Sequence, residues 1–253
     1  MTDSTPCLTL DIGGWAKGLP PGLGASGDLP LPVAILKTSA LDNNRAFMRR
    51  FLAATGARIA PHGKTTMAPA LFQMQLDDGA WGITAATAAQ VLAFRRFGVP
   101  RIFLANELIG RASIDAVLAE LAADPAFDFY CLIDSAAGLA QLVERAKARR
   151  IGRPVNVLVE LGSPGARTGV RALAEGADLA RAAHAAAPWV ALRGVEAYEG
   201  VFSSKTPEED EEKVGELLGR VISLAALARE EKLFSAGPVI LSAGGSSFFD
   251  LVA

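Results

Sequence analysis

Phe127-Asp-Phe-Tyr-Cys-Leu-Ile133 and Val155-Asn-Val-Leu-Val-Glu-Leu161 flank a segment with Leu139, Leu142, Val143 and Ala146 at helical spacing, and this strand–helix–strand reading decides the fold. Both runs are close to continuously apolar. Parallel strands buried on both faces have that pattern, whereas a half-exposed strand alternates. Working outward, the same alternation begins at Val33. The β-type runs are Val33–Leu36, Ala57–Ala60, Trp81–Thr84, Arg101–Leu104, Phe127–Ile133, Val155–Leu161, Val190–Tyr198 and Val239–Ser242. Between them, Ile114, Val117, Leu118 and Leu121 fall at i, i+3, i+4, i+7, and so do Val214, Leu217, Leu218 and Val221. Thr206-Pro-Glu-Glu209 reads as a capping box that opens the last long helix. Gly98 and Pro100 read as the stop of an earlier one. Eight strand–helix units predict an α/β fold, either a closed (β/α)8 TIM-type barrel or an open doubly wound sheet. The strand count and repeat length favour the barrel.

A chain of 253 residues suffices for one such barrel. We assign it to residues 33–253. Residues 1–32 form an N-terminal strand (Leu8–Ile12) and a Gly/Pro-rich connector over 18–32. Ser247–Ala253 resembles the opening of an eighth helix that stops early, so the barrel is expected to be truncated in its last helix. Net charge is −2 and no basic block occurs, which argues against nucleic acid and anionic membranes as partners. No signal peptide or membrane-spanning run is visible, and a cytoplasmic protein is expected. Cys7 and Cys131 lack disulfide or zinc spacing, and Cys131 reads as a buried thiol. His184, in an alanine-rich run, reads as a surface or packing residue.

Chemistry concentrates in Arg58-Ile-Ala-Pro-His-Gly-Lys-Thr-Thr66. A β-type run ends at Pro61 and places Lys64 at the mouth of a turn beside His62. A partly desolvated lysine there favours its neutral amine and becomes a nucleophile toward a carbonyl. Pyridoxal phosphate (PLP) enzymes ask this of their Schiff-base lysine. Alone, Lys64 reads as a surface lysine, but a βα turn belongs to the face where barrels keep their chemistry, and the glycine loop after the last strand turns the reading toward function. Ala243-Gly-Gly-Ser-Ser247 follows the last strand and suits a phosphate dianion, or simply a glycine turn with a serine cap. Glu160–Gly169 carries Arg167 onto the same face, although the spacing also fits a solvated loop arginine. Tyr198 either faces that pocket or packs in the core. Gly22-Leu-Gly-Ala-Ser-Gly27 lacks the strand and helix of a dinucleotide site, and Gly63-Lys-Thr65 lacks the P-loop's first glycine. The acidic run Glu208–Glu212 reads as a dipole-favoured, solvated helix start.

Pro61–Pro69, Gly79–Ile83, Glu160–Gly169, Gly194–Gly200 and Ser242–Ser247 together resemble the fold-type III PLP-dependent enzymes. That group includes alanine racemase, D-threonine aldolase and the D-serine dehydratase (amino acid deaminase) branch, and the resemblance to the last is greatest. The resemblance implies that Lys64 forms the Schiff base and that His62 helps to position the cofactor. It implies further that Arg167 holds the cofactor's phenolic side, that Tyr198 lies near its ring, and that Gly244, Gly245, Ser246 and Ser247 bind its phosphate. It implies a lyase that converts D-serine to pyruvate and ammonia, or alternatively a D-threonine aldolase-like C–C lyase. Family members carry a C-terminal β-domain, which in the dehydratase and aldolase branches supplies a zinc-like divalent metal site through His and Cys. That domain is expected to lie outside this stretch of sequence, so no metal ligand is assigned in residues 1–253, and a non-catalytic PLP-binding barrel or inactive fragment is a third reading. A homodimer is the usual family assembly.

Overall fold

The computed structural model describes residues 36–204, 206–245 and 247–253. Cys7, the strand at 8–12, the connector at 18–32, residues 33–35 and Ser246 lie outside the described residues.

Among the described residues, six strands form one parallel sheet in sequence order. They are β1 Ile83–Ala85, β2 Arg101–Glu107, β3 Asp128–Ile133, β4 Val155–Leu161, β5 Val190–Ala197 and β6 Ile240–Ala243. Helices cross back between successive strands: α3 Ala88–Arg96, α4 Arg111–Ala123, α5 Ala136–Arg149, α6 Leu173–Ala185 and α7 Pro207–Glu230. Before β1 come α1 Thr38–Thr55 and α2 Pro69–Asp77, and after β6 a single turn, α8 Phe249–Val252. This is the α/β barrel-type class that the alternating runs predict.

The helices form where the apolar stripes place them. Ile114, Val117, Leu118 and Leu121 are the buried residues of α4, and Leu139, Leu142 and Ala146 those of α5. Thr206 caps α7 by accepting from the Glu209 amide, with Pro207 at the first position. Gly98, just past α3, has φ 79°, the left-handed conformation that glycine adopts without steric penalty.

Two apolar layers result from the period-two alternation of the strands. Phe129, Cys131, Ile133, Val155, Val157, Val159 and Leu161 pack with the helices in the large outer core. Phe103, Tyr130, Leu132 and Leu158 form a separate cluster on the opposite face, joined by Trp81 and Ile240. A sheet lined on its helix-free face by its own side chains is what a barrel interior requires.

The run Ala57–Ala60 is extended along β1 but is not a strand. Trp81 N–H donates to the Ile59 carbonyl, Thr84 N–H to Pro61, and Gly63 N–H back to Thr84. Pro61 has no N–H to give, which interrupts the ladder. The strand read at Trp81–Thr84 begins two residues later, at Ile83. Among the described residues no helix is long and apolar enough to cross a membrane.

Candidate active site

The C-terminal ends of the strands carry the residues singled out above. His62 bridges to Thr84 beside β1, and a tight turn follows. Packing demands a glycine at 63: a Cβ there would lie 2.6 Å from Phe94 Cζ and 2.9 Å from Phe72. Those two rings stack edge-on with centroids 4.6 Å apart, so the turn that presents Lys64 rests on the outer core. The Lys64 side chain is exposed, which corrects the expectation of a desolvated amine. Lys64 N–H donates to His62 Nδ1 at 3.3 Å, which requires that nitrogen to be unprotonated. The imidazole is accordingly lowered to about 4. Desolvation of the ring is the largest cause, then repulsion from Lys64 and, further off, Arg167, while a Thr84 backbone contact opposes. His62 is nonetheless exposed as a whole residue.

Arg167 lies on the loop after β4. That loop closes on itself: Gly162 N–H donates to the Val170 carbonyl and Val170 N–H to Glu160. A Cβ on Gly162 would collide with the Thr168 carbonyl, so residue 162 is held to glycine. Arg220 of α7 braces the loop through the Gly162 and Arg171 carbonyls. The Arg167 guanidinium stands 4.9 Å from the centroid of the Tyr198 ring, a cation–π arrangement, so these two residues meet. Trp81 belongs elsewhere. It sits at the opposite end of the sheet, 5.0 Å from Tyr130 and under Arg101.

The glycine loop after β6 does hold an anion, but an internal one. Gly244 N–H donates to Glu199 Oε2 at 2.9 Å and Gly245 N–H to Glu199 Oε1. Glu199 is 0% exposed. The two amides are therefore turned together toward negative charge, and the space beside Gly245 would not admit a Cβ. Ser247 follows, exposed. The four-residue α8 is too short to contribute a helix dipole, so the expected helix N-terminus adds nothing here.

Four further carboxylates gather nearby, and the motif reading missed them. Glu107, Asp134, Glu160 and Glu196 stand at or just beyond the C-terminal ends of β2, β3, β4 and β5. The signal was period-two spacing: Phe103 to Glu107, Leu132 to Asp134, Leu158 to Glu160, all on inward positions. Glu160 is pushed up to about 7 by burial, with Thr168 opposing and Glu107 and Asp134 adding repulsion. Glu196 is raised well above the carboxylate range by burial and by the charges of Glu160 and Glu199. The other side chains singled out in the sequence do structural work. The Cys131 thiol is free, buried and pushed up to about 12 by that burial. His184 Nδ1 lies 2.9 Å from the Leu233 carbonyl. Asp210, in the acidic run, is not merely solvated: it accepts from the Ser204 amide at 2.7 Å.

Residues 36–249 match the family model described as "Alanine racemase, N-terminal domain". The chain belongs to that family. Its curated relatives include a 3-hydroxy-D-aspartate aldolase of Paracoccus denitrificans (strain Pd 1222), 28% identical over 231 residues, which are 90% of this chain and 57% of that protein. A second 3-hydroxy-D-aspartate aldolase, from Paracoccus denitrificans, is 30% identical over 71% of this chain and 45% of its own length. The chain thus spans about half the length of the curated relatives it matches. D-threonine aldolase from Filomicrobium marinum shares the fold with a TM-score of 0.76 at 22% identity, over 87% of this chain and 58% of that one. D-threo-3-hydroxyaspartate dehydratase from Delftia sp. HT23 does so at 0.71 and 23%, over 86% and 61%. The fold-type III resemblance is borne out at the level of family and fold.

Proposed function

We propose that this alanine racemase N-terminal-domain protein binds PLP at Lys64 and serves as a lyase for D-amino acids that carry a hydroxyl on Cβ. The observation that carries the reading is the convergence of three parts at one end of the sheet: Lys64 with its His62 neighbour, Arg167 on Tyr198, and an amide pair turned toward an anion. Each part fits a piece of the cofactor. The Lys64 amine suits its carbonyl. The Arg167 guanidinium and the Tyr198 ring suit a flat, oxygen-bearing ring. The Gly244 and Gly245 amides suit the phosphate, provided Glu199 yields them.

Bound there, PLP supplies an electrophilic carbon and a sink for the electrons released at the substrate's Cα. Lys64 is the group to hold the cofactor at rest and to move a proton at Cα. His62, neutral and hydrogen-bonded through Nδ1 to the Lys64 backbone, keeps the turn in place without competing for positive charge. Arg167 would hold the cofactor's phenolic oxygen side, its guanidinium steadied by the Tyr198 ring.

Loss of the Cβ hydroxyl from D-serine would release pyruvate and ammonia, and this is the primary reading. The names of the curated relatives support a second, cleavage of Cα–Cβ in 3-hydroxy-D-aspartate to glycine and glyoxylate. The test begins with PLP added to the purified protein, borohydride reduction and mass spectrometry of the Lys64 peptide. Label on Lys64, absent from Lys64→Ala, is expected, and an unlabelled Lys64 overturns the reading. D-serine and 3-hydroxy-D-aspartate are then supplied in turn and the four products measured. Label without any product would leave a PLP-binding barrel and refute the lyase.

A further inference from the structure

The carboxylates at the mouth of the barrel have no role in that reading. Glu107, Asp134 and Glu160 each offer an oxygen, and the three oxygens all lie within 4.8 Å of one another. Two ligands on opposite sides of a calcium-sized ion, each at about 2.3–2.6 Å, are separated by about that distance. One ion can therefore touch all three. The β4 loop already ties down one oxygen of each of two of these carboxylates. The Thr168 hydroxyl donates to Glu160 Oε1, and Gly169 N–H donates to Asp134 Oδ2 at 3.3 Å.

A second observation points to a ligand. Glu160 Oε2, Glu107 Oε1 and Glu196 Oε2 are buried and receive no N–H or O–H donor, although the Glu160 and Glu107 carboxyls are close enough to share a proton. Glu160 is 2% exposed and Glu196 4%. Glu196 is not one of the three, but it pairs with Glu160 in the β4–β5 register, so both side chains leave the same face. Glu160 is the largest charge acting on Glu196. Buried carboxylates without donors are strongly unfavourable unless a cation or a proton joins them. Arg167 acts on Glu196 in the opposing sense, but its guanidinium is stacked on Tyr198.

We propose that Glu107, Asp134 and Glu160 form a binding site for one hard divalent cation at the mouth of the barrel, with Glu196 beside it. The donors are all carboxylate oxygens, which selects the Mg²⁺, Ca²⁺ and Mn²⁺ class over metals that prefer imidazole or thiolate. The site differs in donors from the His and Cys metal site implied by resemblance. Among the described residues, it is the one cluster of three such side chains. Because Thr168 and Gly169 flank Arg167, the ion would also stiffen the loop that presents that guanidinium.

The test uses the whole chain, stripped with EDTA and free of PLP, titrated with MnCl₂ alone while unbound Mn²⁺ is followed by electron paramagnetic resonance. Saturable uptake of one ion per chain is expected. Glu160→Gln and Asp134→Asn should each weaken it roughly tenfold or more, on the scale of a lost ligand contact. A Glu208→Gln/Glu211→Gln double variant on the acidic start of α7 should leave it unchanged. Circular dichroism checks folding, and if Glu160→Gln fails to fold, the partly exposed Asp134→Asn decides. No saturable uptake, as expected if a shared proton relieves the carboxylates, overturns the proposal. So does uptake that neither variant alters.

Discussion

Glu199 sets the terms on which the glycine loop can take a ligand. Its carboxylate receives both the Gly244 and Gly245 amides, and a phosphate that needs those donors must displace it against like charge. Glu199→Gln keeps the shape and removes the charge. It should tighten PLP roughly tenfold, about 1.4 kcal/mol, and leave pyridoxal, which has no phosphate, unchanged. Fluorescence titration of both vitamers checks this, and an equal change in both would place the phosphate elsewhere. His62 offers a second measurement. Its ring is lowered to about 4 in the folded chain from an ordinary value of 6.5, so the native state binds fewer protons than the unfolded chain. Its contribution is intact above about 6.5 and is lost as pH falls toward about 4. Urea midpoints across that window should fall in the parent and be flatter in His62→Gln.

At the scale of the element, the crossover helices α3 to α7 each derive their stability from a buried stripe. Leu118 of α4 is fully enclosed among Ile114, Val117 and Leu121. Leu118→Ala should cost about 2–5 kcal/mol by urea unfolding, the range for a buried leucine that leaves a cavity. The strands serve two faces at once. Their outward residues meet the helices, their inward residues line the barrel, and the ends of the inward rows carry the acids. The alternating runs made the elements legible because burial on both faces removes polar residues from the middle of a strand. The same continuity hid the inward row, since no polar marker separates the faces until the strand ends.

At the scale of the molecule, the site exists because the two ends of the sheet are held in one curve. β5 carries a bulge at Arg193, and Gly194 then meets β6 so closely that a Cβ would collide with the Ile240 carbonyl. Gly194→Ala should force β6 away and with it the Gly244–Gly245 loop. A lower urea midpoint and loss of PLP uptake are expected together, with helix content largely retained by circular dichroism. The sequence by itself determined the alternation of strand and helix, the turn that carries Lys64 and the glycine loop after the last strand. Each depends on neighbours in the chain and leaves a local pattern. Only the tertiary structure decided that Arg167 would stand on Tyr198, that Glu199 would occupy the glycine amides and that acids from four strands would meet. Those contacts join residues tens of positions apart, and the parallel register that aligns them comes from packing the whole sheet, which no single segment encodes.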